Sequence, residues 1–455
     1  YQSNLISIFL KSKKLIWQIR SSEDKIFYSY KRFLYYFLNG IFSLKANKII
    51  FDCHKSMHQH EKFFFNKNLK VIQNVFFKNK IKQECEKTLN SKYLFVLPTL
   101  NGGGAERVSL EIMKVINKKN KKKTTDLLVL GKKTKIDYKK IFKGNINYLN
   151  YRKSFLSYFS LKKFIYMNDY EVIFSNIPNT NTLLCILKLF SLKNFFLIIR
   201  ESNMPNQPLK YRFSAKNLID YILRYFYVFS DLIISPSKEI NKYLKKILLF
   251  KNNKHFIHLP NYIDIETYKK ASKNKSKTKL PKNYLLSLSN IQFQKNFELL
   301  ILSLKNFIKK HPNFKLLIAG KVVEKKYGNE IRNLIQKNNL SRKIKLIGYK
   351  KNPFYLISNA SAVLSTSRWE GMPNSILQSC SLNKKVISTD CLSGPKEIKE
   401  YGFKLYLAKN NNLLDFSNKL ILAMNHKAKI NNKVALKKYN LNFLNKIEKI
   451  LKVNV

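Results

Sequence analysis

The residues best placed to do chemistry form the stretch RWEGMPNSILQ, residues 368–378, between a strand-like run and a helix-like one. Glu370 follows the run AVLSTS with only Arg368 and Trp369 between them, so its carboxylate should lie at the carboxyl edge of a sheet. Pro373 can open the helix and leave the neighbouring backbone N–H groups to a ligand. Such a site can hold sugar hydroxyls on the carboxylate and a phosphate at the helix start. The second polar group, Gln378, is an amide and not an acid.

A second candidate is the glycine-rich stretch NGGGAERV, residues 101–108, between the run YLFVLPTL and a helix-like segment. Glycines let the backbone approach a ligand closely, and the helix start offers N–H groups and a positive dipole end, so the loop suits a diphosphate. A tight turn without a ligand would need the same glycines. The spacing matches neither GxGxxG nor GxxxxGK[ST], which argues against a standard dinucleotide or P-loop site.

The elements that must position these residues form two series of short apolar runs separated by longer amphipathic segments. The first series is YLFVLPTL, DLLVLG, EVIFSN, FFLIIR and DLIISPS, and the second is YLLSLS, FKLLIAG, IKLIGY, AVLSTS and KVISTD. Runs of this kind indicate βαβ units and parallel sheets. We therefore predict an α/β fold with two doubly wound, Rossmann-like domains facing each other across a cleft. Open α/β sheets bind ligands beyond the carboxyl ends of their strands, so the cleft is the predicted site.

The predicted domain boundary falls near the polar, charged stretch KKASKNKSKTKLPKN. We place the N-terminal domain at residues 91–265, the C-terminal domain at 266–430, and a last helix at 431–455 that crosses back toward the first domain. Near the start of the second series, Lys295 stands just before an amphipathic helix. A cation there could meet phosphate oxygens, although a lone lysine is a weak signal in a lysine-rich chain.

Residues 1–90 look like a partial copy of the later half-domain. Three segments resemble three later ones in the same order: KLIWQIRSSE and FFLIIRESN, ANKIIFDCHKS and SDLIISPSKE, NLKVIQNVFF and NKHFIHLPNYID. Chance similarity between compositionally biased segments is the alternative. A truncated copy lacks strands to pack against, so we expect an appendage and not a second site.

The chain is strongly basic, with 86 Lys and Arg against 27 Asp and Glu and a net charge of +59. Such a charge favours an anionic partner, namely a membrane surface, a polyphosphate or a nucleic acid. Compositional drift in an AT-rich genome would produce the same abundance of lysine. The attraction to anionic surfaces acts whichever origin the charge has.

Cysteine usage and hydropathy indicate the compartment. The five cysteines form no CxxC pair and no even framework, which favours a reducing environment. No apolar run approaches the roughly 18–20 residues that cross a bilayer. The chain opens with Tyr1 and not Met, so no signal peptide can be judged. We expect a cytoplasmic protein, peripheral on the inner face of the membrane.

Several motifs in register resemble one family. The run from GGGAER to SGPKEI, with RESN, SPSKEI and PNYID in order between them, resembles the family-4 retaining glycosyltransferases of the GT-B fold. The likeness is greatest to bacterial enzymes that build lipid-linked and surface oligosaccharides such as lipopolysaccharide or capsule. It covers roughly residues 91–455, and WEGMPNSILQ looks like that family's E-x7-E segment.

The resemblance implies a role for each matching residue. Glu370 would hold hydroxyls of the donor sugar, and Lys295 would bind the diphosphate. Position 378 would face the nucleotide ribose. The other implied donor contacts are backbone or loop positions: Gly103, Gly104, Gly371, Met372, Pro373 and Asn374. The residues implied on the acceptor or sugar side of the cleft are Glu106, Arg200 and Glu201.

Two positions depart from the family's pattern. Gln378 stands where a second Glu is usual, and Ser289-Asn290 stand where a Gly-Arg pair is usual. A neutral partner for the ribose forfeits about 1 kcal/mol. A missing Arg–phosphate contact costs about 1.5–3 kcal/mol unless another cation substitutes. The departures indicate altered nucleotide recognition or a weakened enzyme.

The expected activity is transfer of a sugar from a UDP- or GDP-sugar to a glycan or polyprenyl-linked acceptor, with retention of configuration and no metal or cofactor. A metal-dependent transferase of the other common fold would need a DxD pair, and none occurs in the sequence. The histidines His54, His58 and His60 cluster without an obvious ligand set. A nucleic-acid-binding protein fits the charge, but no recognised motif appears. The remaining alternative is a degenerate homologue that acts as a binding or scaffolding module.

Overall fold

A computed structural model gives the fold. The described residues are 16–19, 48–51, 69–71, 93–119, 125–133, 144–191, 193–211, 214–248, 255–274 and 280–453. The cluster of His54, His58 and His60 lies outside them. The chain divides into a small unit, Tyr1–Cys85 with Leu189–Leu192, and a large unit that holds the remainder.

The small unit contains a three-stranded parallel sheet. Its strands are β1 Ile16–Ile19, β2 Lys48–Phe51 and β3 Leu69–Val71, in the order β1-β2-β3. Neighbouring strands pair in parallel, with Ile16 opposite Lys48 and Ile49 opposite Leu69.

The first sheet of the large unit has seven parallel strands in the order β10-β9-β8-β7-β4-β5-β6. They are β4 Tyr93–Leu97, β5 Thr125–Val129, β6 Ile146–Tyr148, β7 Val172–Ser175, β8 Phe196–Arg200, β9 Leu232–Ser235 and β10 Phe256–His258. The helices between them are α1 Gly104–Lys119, α2 Tyr158–Met167, α3 Pro178–Leu189, α4 Gln207–Tyr211, α5 Ala215–Ile222 and α6 Lys238–Ile247.

This sheet is covered on both faces. All five residues of β4 are buried, and they alternate between two cores: Leu94 and Val96 join one, Phe95 and Leu97 the other. Successive side chains of a strand point to opposite faces, so a strand apolar at every position must be central and doubly covered.

The second sheet has six parallel strands in the order β13-β12-β11-β14-β15-β16. They are β11 Tyr284–Leu288, β12 Lys315–Ala319, β13 Ile344–Leu346, β14 Ala362–Ser365, β15 Val386–Asp390 and β16 Tyr406–Lys409. The accompanying helices are α7 Ile265–Lys273, α8 Phe297–Lys310, α9 Lys325–Lys337, α10 Phe354–Asn359, α11 Asn374–Ser381, α12 Pro395–Glu400, α13 Leu413–Asn425 and α14 Lys433–Val453. The predicted α/β class with two doubly wound parallel sheets is confirmed.

The topology fixes where ligands can bind. The strand order reverses between β4 and β7 in the first sheet and between β11 and β14 in the second. Loops at such switch points splay apart and leave a crevice at the carboxyl edge. Helix α14 packs against both halves, because Tyr439 joins a core of the second sheet while Phe443 and Ile447 join a core of the first.

The strands of the small unit correspond to the segments predicted as a repeat. Strands β1, β2 and β3 fall in the segments matched to β8, β9 and β10, and both sets are parallel neighbours in the same sequence of pairing. This strand order agrees with the repeat predicted from the sequence, which stays a prediction. The remaining residues of this segment lie outside those that the structure describes.

Candidate active site

A cleft of about 550 Å³ opens between the carboxyl edges of the two large sheets. Loops that follow β4, β8, β11, β12 and β14 contribute to its walls. Of the predicted site residues, those that line it are Gly103, Gly104, Glu106, Arg200, Lys295, Glu370, Gly371, Met372, Pro373, Asn374 and Gln378. The pocket is within the usual size range of small-molecule sites.

Lys295 and Glu370 form an ion pair in this cleft. The Lys295 Nζ lies 2.6 Å from Glu370 Oε1, and the Ser367 hydroxyl donates to the same oxygen at 2.6 Å. Lys295 ends a short 3-10 turn after β11, and Asn296, with φ at 50°, caps α8 directly behind it. The two loops therefore bring a cation and a carboxylate together at the switch point of the sheet, where polar ligand groups of either sign can bind.

The loop from Gly371 to Pro373 lies against the first domain. At Gly371 there is no space for a larger residue. A Cβ on Gly371 would come 2.0 Å from the carbonyl oxygen of Ser202. The Ser393 hydroxyl donates to the Gly371 carbonyl at 2.8 Å. Pro373, at the N-cap of α11, makes no side-chain cap. The first N–H groups of this helix have no acceptor within the helix, and the helix start lines the cleft, so these groups are available to a ligand.

A chain of buried amides links the two halves of the cleft. The Arg200 guanidinium donates to Asn176 at 3.0 Å and to Asn261 at 2.5 Å. The Asn261 amide in turn donates to the Met372 carbonyl at 3.0 Å and to Asn374 at 2.6 Å. Burial lowers the pKa of Arg200 to about 10, so it remains a cation at neutral pH. Arg200 thus fixes the helix start through Asn261.

Glu106 organises the glycine-rich loop. Its carboxylate accepts hydrogen bonds from the Gly103 N–H at 2.8 Å and from the Thr99 hydroxyl at 2.5 Å. The sharp turn is at Gly102, whose φ of 83° favours glycine and where a Cβ would lie 2.2 Å from the Tyr349 hydroxyl. Glu106 therefore shapes the loop, and the Gly103 N–H is directed at this carboxylate and not at the cleft.

Gln378 is connected to a partly buried acid that the sequence did not reveal. The Tyr268 hydroxyl donates to Glu111 at 2.9 Å and also interacts with the Gln378 side chain. Burial raises the pKa of Glu111 to about 7, with the Tyr268 hydrogen bond and Lys114 opposing that shift. The amide at position 378 thus ends a chain of polar groups, Gln378–Tyr268–Glu111, that runs from the cleft to the contact between α7 and α1.

The prediction that Glu201 lines the cleft is wrong. Its side chain is fully buried, and its carboxylate accepts from Arg224 Nε at 3.0 Å and from the Tyr227 hydroxyl at 2.9 Å. Successive residues of an extended backbone face opposite ways. Because Arg200 faces the cleft, its neighbour Glu201 faces the core and holds Arg224 there.

Three further cations line the cleft, Arg107, Lys321 and Lys350. Arg107 donates to the Tyr349 hydroxyl at 3.3 Å, and the Lys321 ammonium lies 4.8 Å from the centre of the same ring. Asn290, where an arginine was expected, accepts from the Lys321 backbone N–H at 3.0 Å. Lys321 follows β12 at the carboxyl edge, so the switch-point rule could have found it. These cations can supply the charge that Asn290 lacks.

The described residues contain no group of three His, Cys, Asp or Glu side chains that could hold a metal ion. Within the same part of the chain, no helix has both the length and the apolar character needed to span a bilayer.

Comparison with known families places the second half of the chain. Residues 268–441 match the family described as glycosyl transferases group 1. This segment contains Lys295, Glu370 and Gln378, and so most of the second domain's contribution to the cleft.

Two curated relatives match over part of their length. An uncharacterized glycosyltransferase of Methanocaldococcus jannaschii is 33% identical over 220 residues, which are 46% of this chain and 52% of the relative. An N-acetylgalactosaminyltransferase of Campylobacter jejuni, whose name gives a diphospho-undecaprenol-linked acceptor, is 28% identical over 250 residues, 54% of this chain and 65% of the relative. The chain therefore spans between half and two thirds of these proteins.

Solved structures share the fold. Anabaena HepE, solved in complex with UDP and glucose, superposes with a TM-score of 0.62 at 17% identity and covers 80% of this chain and 98% of its own. The sucrose-phosphate synthase of Thermosynechococcus elongatus gives a TM-score of 0.63 at 12% identity, over 80% of this chain and 99% of its own. At these identities the likeness shows the two-domain arrangement alone.

Proposed function

We propose that the protein transfers a sugar from a nucleotide-sugar to a glycan or lipid-linked acceptor, because the chain carries a domain of the glycosyl transferases group 1 family. The observation that carries this proposal is the pairing of Lys295 with Glu370 beside the start of α11 in the cleft. A cation and free helix N–H groups suit a diphosphate, while the carboxylate suits sugar hydroxyls.

The donor can be assigned to the second domain on chemical grounds. Its diphosphate would lie between Lys295 and the backbone of Gly371–Asn374, with Lys321 and Arg107 adding charge. Glu370 would accept hydrogen bonds from the sugar, and Gln378 would face the ribose. In this arrangement the cations and backbone N–H groups bind the anionic diphosphate, and the carboxylate and the amide bind hydroxyl groups.

The chemical step would proceed with retention of configuration and without a metal. The acceptor hydroxyl would attack from the face that the leaving diphosphate vacates, and a phosphate oxygen would take its proton. No protein nucleophile is required. Glu370, the ion-pair partner of Lys295, would accept hydrogen bonds from the sugar and take no part in the proton transfer.

A UDP-sugar and an undecaprenol-type acceptor are the favoured substrates. The support comes from the Campylobacter relative, named for a diphospho-undecaprenol acceptor, and from HepE, solved with UDP. An acceptor of this class is confined to a membrane, so the protein would work as a peripheral enzyme on the cytoplasmic face.

Calorimetric titration of the full chain with UDP and with GDP tests the donor site. We expect micromolar binding of one of them, and loss of that binding in Lys295→Ala. Lys305→Ala is a control on α8, where the lysine is exposed and lies outside the cleft. If neither nucleotide binds the wild type, the transferase proposal fails and a binding or scaffolding role takes its place.

A further inference from the structure

The segment from Arg152 to Met167 exposes large apolar side chains that the fold does not use. Phe159 leaves 80% of its surface in solvent, Met167 73% and Leu156 64%. Burying such side chains is normally favourable, and contiguous exposed apolar surface marks an interaction site.

Helix geometry places these residues on one side. Leu156, Phe159, Lys163 and Met167 follow at intervals of three, four and four residues, which is the spacing of a single helical stripe. The opposite side, with Leu161 and Ile165, is fully buried in the core beneath the first sheet. Helix α2 therefore has one apolar side that stabilises the fold and a second that faces solvent.

Positive charge accompanies the exposed stripe. Arg152, Lys153, Lys162 and Lys163 lie in this segment, and no Asp or Glu occurs from residue 152 to residue 168. Aromatic and aliphatic side chains next to lysines are the composition of helices that lie in the interface of an anionic bilayer. A protein partner would have to offer a large apolar surface and a strongly acidic one together, whereas anionic lipid supplies both.

We propose that Arg152–Met167 is the surface by which the protein docks on an anionic lipid bilayer. The bilayer as the place of the acceptor rests on the proposed function, whereas lipid binding itself does not. Phe155, Leu156 and Phe159 insert below the headgroups, and the four cations contact the phosphates.

The position of this surface suits delivery of a lipid-linked acceptor. The turn Ser154–Ser157 follows β6, and therefore begins at the carboxyl edge of the sheet, where the glycine-rich loop also lies. Docking through this turn presents that edge to the membrane. The headgroup of a lipid-linked acceptor can then reach the cleft while its chain stays in the bilayer.

Flotation of the full chain with vesicles tests the proposal. One set of vesicles is phosphatidylcholine alone, and the other also contains about 30% phosphatidylglycerol, which gives the surface a negative potential. We expect binding to the anionic vesicles that falls at least about tenfold in Leu156→Ser/Phe159→Ser, a change that leaves net charge untouched. The matched control is Leu414→Ser/Val434→Ser, two exposed residues of the second domain, which should bind as the wild type does.

A second pair of variants separates the local cations from the general charge of the chain. Lys153→Gln/Lys163→Gln should weaken vesicle binding at least about threefold more than Lys309→Gln/Lys310→Gln, a change of equal charge on α8. UDP titration of every variant reports the donor site independently. Vesicle binding that depends on the stripe supports the proposal even if UDP does not bind.

Three results would overturn the proposal. The apolar variant could float with anionic vesicles as well as the wild type does. Binding could be equally strong to vesicles of phosphatidylcholine alone, which would leave the cations without a role. Sedimentation could show that the wild type self-associates and that Leu156→Ser/Phe159→Ser is a monomer, in which case a second copy of the chain covers this surface.

Discussion

The Lys295 ammonium lies 2.6 Å from the Glu370 carboxylate, and both side chains are mostly buried in the wall of the cleft. Each group balances a charge that would otherwise be costly to keep out of water. In the proposed donor complex both gain new partners, the lysine a phosphate and the acid a sugar hydroxyl. The ion pair therefore links the site for the donor's phosphate to the site for its sugar.

Replacing Glu370 by Gln should separate these roles. The amide removes the charged acceptor for sugar hydroxyls, and we expect transfer to fall by a factor of about 10–100, the worth of one charge-assisted hydrogen bond. UDP, which has no sugar, should bind as well as before or more tightly, because Lys295 is released. Steady-state kinetics and UDP titration provide the two readings. The control is Glu400→Gln, which alters an exposed ion pair with Lys238. A transfer rate of Glu370→Gln near that of the wild type would show that Glu370 does not bind the donor sugar.

A second prediction concerns Asn261, which links Arg200 to the start of α11 through hydrogen bonds. Asn261→Ala leaves an Arg200 donor, the Met372 carbonyl and Asn374 without their shared partner. We expect the free energy of unfolding to fall by about 2–4 kcal/mol, and the KM for the donor to rise because the start of α11 loses its support. Urea unfolding and kinetics measure these effects. Asn329→Ala, at an exposed position on α9, should change neither, and an equally small effect of Asn261→Ala would refute the positioning role.

Much of this architecture could be predicted because its signals are local. The apolar runs are buried on both faces, and parallel strands of that kind have no polar alternation to obscure them. Glu370 could be placed because a residue a few positions after a strand lies near the carboxyl edge of the sheet. Lys295 could be placed because it stands just before an amphipathic helix, together with the family resemblance.

The errors and omissions arise where a side chain's surroundings come from distant segments. Arg200 and Glu201 are neighbours in sequence, and only the packing of Arg224 and Tyr227 shows which of the two is turned inward. Glu111 on α1 acquires its environment from Tyr268, 157 residues later. Asn261 lies in the PNYID motif, but its partners at Met372 and Asn374 are more than a hundred residues away. No local pattern encodes such contacts.

Restoring the usual glutamate at position 378 should weaken nucleotide binding and not strengthen it. Tyr268 gives its proton to Glu111, so a carboxylate at 378 would meet the phenol oxygen with no proton to share. We expect UDP affinity of Gln378→Glu to fall severalfold, and Glu111→Gln to recover part of the loss, because a neutral amide at 111 competes less well than a carboxylate at 378 for the phenol proton. Titration of the two single variants and the double variant gives the coupling energy. Additive effects, or tighter binding by Gln378→Glu, would contradict the proposed link.

Glu111 should also make stability depend on pH. Burial raises its pKa from 4.5 to about 7, so between these values the folded chain holds a proton that the unfolded chain has lost. The stabilisation is therefore complete below pH 4.5 and disappears as pH rises to 7, by up to about 3 kcal/mol. Glu111→Gln keeps an acceptor for Tyr268 and has no proton to lose. Urea unfolding at about pH 5 and about pH 8, on either side of the raised pKa, should show a larger decline for the wild type than for this variant, while Glu400→Gln should decline as the wild type does. Equal declines in wild type and Glu111→Gln would show that the Glu111 carboxyl titrates at its ordinary pKa.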